Sequence, residues 1–406
     1  MKDQNHKAID LHNPRWLGRN ARWLFWRKGL KGAPRHPPTR AAYVPVMRET
    51  LLLIAITVLA AYAGPDLEQA TGISIFRQIR DMLALWFGQG IDPPSYYALE
   101  MWRPENALAA ASYLTRFETK NGLFQVLNNS RPKRRAGNEM ADKLLFADIC
   151  READVAHPQP LVVVTADGPQ WRGAPAALAH DLFVKPRKGM GASGTFLFRY
   201  DPATDQHIGR DGTLYSRHQL LSFLQKKAVK PLLVQPRLAN HPEIACLARE
   251  SLLTVRVVTC LNEQDEPEVT MAMLRLLTKL EPAWKKIAPD GEYASPIDIT
   301  SGRLGQMTGD GLRTSHLRYD HHPLTQEPLC GRLMPLWPDI KALALAAHRA
   351  VNHRAAVGWD IALTPTGPVV LEGNTNFDVM FLQRVHDAPM GATRLGGLLN
   401  RQLAQL

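Results

Sequence analysis

Gly358–Asn374 reads GWDIALTPTGPVVLEGN, two runs of strand-forming residues divided by Pro365–Thr366–Gly367. Gly367 suits the left-handed last position of a three-residue hairpin loop, which sets Thr364 opposite Pro368. Carried along the strands, that register places Asp360 across from Glu372, with Asn374 two residues on and on the same face. Two carboxylates facing each other repel, and a fold tolerates them when a cation lies between. Asp, Glu and Asn are hard oxygen ligands, and such a set suits Mg2+ that keeps its remaining positions for water and phosphate. A solvated hairpin face is the competing reading, with Trp359, Ile361, Val369 and Leu371 filling the opposite face.

Upstream, Gly189, Gly191 and Gly194 fit G-x-G-x-x-G, a weak signal by itself. An apolar strand (FVKP) precedes the motif and another (TFLFRY) follows, so the loop is a flap between antiparallel strands and not a dinucleotide turn. Its glycines leave backbone N–H groups uncovered for phosphate oxygens. Lys185 ends the first strand and Lys188 enters the loop, both within reach of one anion; a flexible hairpin with two solvated lysines is the bland alternative. Ser193 has no G-x-S-x-G around it, which excludes a nucleophile elbow. Arg256 in TVRVVT and Arg275 in MAMLRLLT interrupt apolar strands. A guanidinium in a core is costly unless paired, so each either faces a cleft and holds an anion or closes a structural ion pair. His321–His322–Pro323 lacks a second ligand set and reads as a loop.

Residues 138–153 carry a helical pattern, and strands are expected at 161–164, 182–185, 195–200, 232–235, 253–260 and 270–277, with helices at 216–228 and 338–353. Antiparallel pairs alternating with single helices give an α+β class, not a doubly wound sheet. Asn129–Gly137, polar, basic and broken by Pro132, is the best boundary. Before it, 73–87 reads as an amphipathic helix and 95–127 as helical again.

The chain of 406 residues has a net charge of +11, and residues 1–48 hold eleven Lys/Arg against two Asp. The apolar run Leu51–Ala63 falls short of a bilayer span and starts too late for a secretory signal, so it reads as a buried core helix. Ahead of it, Trp16, Trp23 and Trp26 alternate with Arg15, Arg19, Arg22, Arg27 and Lys28, a mix that suits an anionic membrane surface, RNA phosphates or a solvated arm. The four cysteines show no CxxC and no metal spacing, which favours a reduced compartment, the cytoplasm; the arm at 1–48 adds peripheral contact at the inner membrane face as an expectation.

Together these residues resemble the ATP-grasp superfamily, and within it the sugar-transfer-associated group related to α-L-glutamate ligases. The resemblance covers about residues 138–385, with a looser likeness from Ile73 to Tyr97. It implies two α+β subdomains clasping ATP, here behind a helical N-terminal extension: an arm at 1–48, a helical region at 49–135 and an ATP-grasp domain at 136–406, divided at 230/231. It implies that Lys143 and Lys185 contact nucleotide phosphates, that the flap residues Lys188, Gly189, Gly191, Ser193 and Gly194 close over them, and that Val234 and Gln235 in LLVQPRLANHPEI line the base. Asp360, Glu372 and Asn374 become the Mg2+ ligands, and Arg256, in a T-x-R-x-x-T strand, joins Arg275 as a candidate catalytic group. The implied activity is ATP-dependent, ADP-forming ligation of a carboxylate to an amine or thiol through an acyl phosphate, in polysaccharide or sugar-conjugate biosynthesis. A non-catalytic ATP-binding scaffold, a kinase and a basic RNA-binding protein are the rivals. Gly291–Pro296 (GEYASP) departs from the Asn and paired glycines of the group, so the likeness speaks to the nucleotide side.

Overall fold

The structure is a computed structural model that describes residues 45–119, 123, 124, 127, 139–189, 194–248, 250–280, 287–351 and 353–405. The basic arm up to residue 44, the boundary at 129–137 and the flap positions Gly191 and Ser193 lie outside the described residues.

Two antiparallel sheets dominate. The smaller lobe is built on a seven-stranded sheet formed by β1 (Val162–Thr165), β2 (Gly168–Trp171), β3 (Leu182–Pro186), β4 (Phe196–Asp201), β5 (Gln206–Gly209), β6 (Leu214–Tyr215) and β7 (Leu232–Pro236), in the order β2-β1-β7-β3-β4-β5-β6. The larger lobe has a six-stranded sheet of β8 (Thr254–Leu261), β9 (Pro267–Leu277), β10 (Glu292–Ile297), β11 (Thr308–Gly309), β12 (Ala356–Thr364) and β13 (Gly367–Asn374), ordered β11-β10-β9-β8-β12-β13. This is the α+β class expected from the sequence. Short strands such as β2 and β5 add to those the apolar runs announce.

The principal helices are α1 (Pro45–Thr71), α2 (Ile75–Gln89), α3 (Pro93–Ala98), α4 (Lys143–Glu152), α5 (Arg217–Lys227), α6 (Trp337–Ala350), α7 (Val379–Val385) and α8 (Arg394–Ala404). Ser216 and Gln219 close a capping box that starts α5, whose Leu220 and Leu224 bury against Val162, Val184 and Val234. Although it adjoins the small lobe in sequence, α4 packs Phe146, Ile149 and Cys150 into the core between the large sheet and α6. The opposite face of the large sheet carries Val258, Met271 and Met273 against α7 and α8.

Two sequence expectations change here. The run 51–63 buries only one side: Leu52, Ile56, Ala60 and Ala63 enter the core, whereas Leu53, Ile54, Val58 and Tyr62 face outward. The region 95–127, expected to be helical, is helical in short pieces over its described residues, with Pro93–Ala98, Pro104–Leu108 and Arg116–Glu118 as separate helices, because prolines restart the chain at Pro93 and Pro104. That region is bolted to the large lobe by the buried Arg384, which donates to the carbonyls of Ala98, Gly309 and Gly311, and by an Arg318–Glu100 ion pair.

Candidate active site

In an antiparallel sheet, directly paired residues share a face. Asp360 pairs with both Glu372 on β13 and Arg256 on β8, so all three side chains lie on one side of the large sheet. The carboxylate pairing expected from the hairpin is present, reached by a different route. The loop is Pro365–Thr366, Thr364 opposes Gly367, and a β-bulge after Asp360 leaves Leu371 without a partner and restores the register at Glu372. Leu371 is therefore the bulge residue, and Val370 takes the core position opposite Ile361.

Asp360 is buried and accepts from Arg256 Nε at 2.6 Å and Nη2 at 2.9 Å, a fork geometry that fills both of its oxygens. Arg275 Nη1 adds bonds at 3.1 and 3.2 Å, while its Nε and Nη2 hold Glu292 on β10, the latter at 3.0 Å. Burial works against charge on Asp360, but Arg256 and Arg275 outweigh it and hold its pKa at about 2. Gly358 makes the arrangement possible: a Cβ there would lie 3.2 Å from Arg256 Cδ and 2.9 Å from Phe377 Cβ. Sequence reasoning left each arginine with two roles, and both close ion pairs here: Arg275 has Nε and both Nη atoms committed to Asp360 and Glu292, and Arg256 holds Asp360 through Nε and Nη2. Glu292 was missed; the register of β10 against β9 was the signal for it, since Arg275 lies opposite Ala294, two residues along.

Facing this floor is the small sheet. Lys185 pairs with Leu233, on the side opposite the small-lobe core, and Gln235 shares that side. Val234 points the other way, into the core beneath α5, so its side chain does not line the cleft. Gln235 donates its amide to Pro158 O. Lys143 begins α4, where Asp142 caps the helix and pairs with Arg187 at 2.8 Å. Its ammonium donates to Gly189 O at 2.7 Å, which ties the helix to the root of the flap; Lys188 is exposed, 3.7 Å from Asp142. Burial lowers the pKa of Lys185 to about 8 against the pull of Glu372, with Lys143 adding to the lowering. Lys143 is also lowered by burial, again opposed by Glu372. Two lysines from different elements thus share one carboxylate across the cleft.

Asn374 Nδ2 lies 3.3 Å from Glu372 and 3.4 Å from Asp360. Its amide oxygen and the Glu372 carboxylate fit a hard divalent cation; Asp360, held by guanidinium groups, enters such a set only where Arg275 Nη1 gives up its longer contacts. Among the described residues no group of three His, Cys, Asp or Glu forms an alternative metal cluster. His322 accepts from Leu324 N and Thr325 N and is a turn residue, as its sequence context indicates.

A family model described as sugar-transfer associated ATP-grasp matches residues 125–393. The chain belongs to this ATP-grasp family. Similar solved structures include the D-alanine–D-alanine ligase of Coxiella burnetii, 12% identical with a TM-score of 0.37 over 66% of this chain and 59% of that one. The ATP complex of the D-alanine–D-alanine ligase of Bacillus anthracis is 12% identical with a TM-score of 0.37, covering 66% and 67%. An L-amino acid ligase of Bacillus licheniformis is 12% identical with a TM-score of 0.34, covering 61% of this chain and 43% of that one. The match thus spans 59% of the Coxiella enzyme's length and less than half of the licheniformis one. No curated protein matches the chain. The ATP-grasp assignment agrees with the resemblance carried by its lysines, flap and hairpin.

Proposed function

We propose that this ATP-grasp protein is an ATP-dependent, ADP-forming ligase that activates a carboxylate as an acyl phosphate and passes it to an amine or thiol, in polysaccharide or sugar-conjugate assembly. The observation that carries the reading is the convergence of Lys143, Lys185 and Glu372 across a cleft whose floor holds Arg256. Lys143 and Lys185 bind the nucleotide phosphates, the flap from Lys188 to Gly194 covers them, and Gln235 stands on the cleft side of β7 for the base. Mg2+ held by Glu372 and Asn374, with Asp360 beside them, would supply charge neutralisation on the transferring phosphoryl group. The substrate carboxylate oxygen attacks the γ-phosphorus as the β–γ bridge bond breaks and ADP leaves. The acceptor then attacks the acyl carbon, inorganic phosphate departs, and the acceptor gives up a proton. Arg256 Nη1 offers an N–H pair to the anion formed between these steps, and Arg275 and Glu292 keep Asp360 in place behind it. The arm at 1–48 holds this activity at an anionic surface on the cytoplasmic side.

Hydroxylamine tests the reading as a general acceptor. Incubated with Mg-ATP and a panel of sugar acids and amino acids, the protein should form ADP and hydroxamate in equal amounts for the right carboxylate. A stable phosphorylated product would mean a kinase, and nucleotide binding with neither product would mean a scaffold.

A further inference from the structure

Among the described residues nothing covers the outer face of α1, which is apolar. Leu53 is 56% exposed, Ile54 54%, Val58 59% and Tyr62 57%; Ile54, Val58 and Tyr62 recur every four residues along one side of the helix, with Leu53 beside them. No charged residue occurs between Glu49 and Asp66. The one hydroxyl on the stripe short of Tyr62, Thr57, is satisfied within the helix by donating to Leu53 O at 2.9 Å, so an apolar medium would leave no donor stranded there. Contiguous exposed apolar surface of this kind marks an interaction site. The opposite side of α1 packs on α2 and α3, which holds the helix rigidly with the stripe outward.

We infer that this stripe is a lipid-docking surface on which α1 lies in the plane of an anionic membrane. Charge selects the partner. The residues leading into α1 carry ten Lys/Arg against two Asp, with Trp16, Trp23 and Trp26 among them. Such a segment is drawn to an anionic leaflet, whereas two copies brought together face to face would oppose two arms of the same sign. Among the described residues no helix is long and apolar enough to cross a membrane, so the contact is interfacial. Tyr62, with an apolar ring and a polar tip, closes the stripe beside the Arg313–Asp66 pair, where the surface turns polar. The inference takes its choice of an anionic leaflet from the membrane reading of the arm and adds to it a folded surface that can be tested separately.

Sedimentation of the full chain with vesicles separates the two contributions. Wild-type protein should partition onto vesicles of phosphatidylcholine with phosphatidylglycerol and not onto phosphatidylcholine alone. Leu53→Glu/Val58→Glu alters only exposed positions and should lower that partition by at least about tenfold, with Mg-ATP affinity and thermal unfolding unchanged. Arg19→Glu/Arg22→Glu/Arg27→Glu reads the arm. If it has no effect while the stripe variant loses binding, the arm reading fails and the stripe stands. Unaltered partition of the stripe variant overturns the inference. So does a wild-type chain that ignores vesicles and elutes as a dimer that the stripe variant dissociates, which would assign the surface to a second copy.

Discussion

His157 makes the stability of the protein depend on acidity in a way that can be worked out. Its Nδ1 donates to Val370 O at 2.7 Å, and Val370 N returns a bond to Ala156 O at 2.9 Å, so the segment before the small sheet is stitched to the strand that carries Glu372. Burial, reinforced by Lys185, lowers the imidazole pKa from 6.5 to about 4. Between those values the unfolded chain binds a proton that the folded chain refuses, so stability falls as pH drops from 6.5 to 4 and is fully present above 6.5. At pH 5 the loss from this histidine comes to about 2 kcal/mol. Urea unfolding of wild type and His157→Asn at pH 7 and pH 5 measures it. The cost of the smaller side chain is the same at both values and cancels, so the variant should lose about 2 kcal/mol less than wild type between them. Lys185 and Asp360, with pKa values of about 8 and about 2, titrate outside this window. Equal losses in the two proteins would refute the reasoning.

Glu372→Ala should abolish Mg-dependent ATP affinity in calorimetry with unfolding unchanged, and Lys185→Ala should weaken ATP more than AMP because the missing charge acts on the outer phosphates; retained Mg-ATP affinity in the first would remove the cation assignment. Arg275→Met leaves Glu292 without its partner in a buried site and Asp360 with one guanidinium, a loss of about 3–5 kcal/mol in urea unfolding. A change below about 1 kcal/mol would mean the strut is a surface pair.

How much was legible depended on whether the information was local. The hairpin was, because strand alternation and a turn glycine act over a few residues; yet the pairing of Asp360 with Glu372 survived an error in the loop and an unforeseen bulge that offset each other. Arg256 and Arg275 announced a need for partners, but Glu292 is supplied by a strand whose register is set by long-range packing. Val234 and Gln235 were read together, and strand alternation sends them to opposite faces; only the position of α5 decides which face is core. The run at 51–63 is hydrophobic all round, so its composition did not reveal that one side is bare.

The bulge at Leu371 has a consequence for how this hairpin can vary. A two-residue tip followed by an unpaired residue and a three-residue tip with an unbroken ladder bring the same two carboxylates face to face, because both keep the same number of residues between Asp360 and Glu372. Turn type is therefore free to drift among relatives, provided any residue gained at the tip is lost from the strand. Deleting Leu371 would remove the bulge and set Glu372 directly after Val370, on the face opposite to it and still across from Asp360, so the carboxylate pair survives with an unbroken ladder as well.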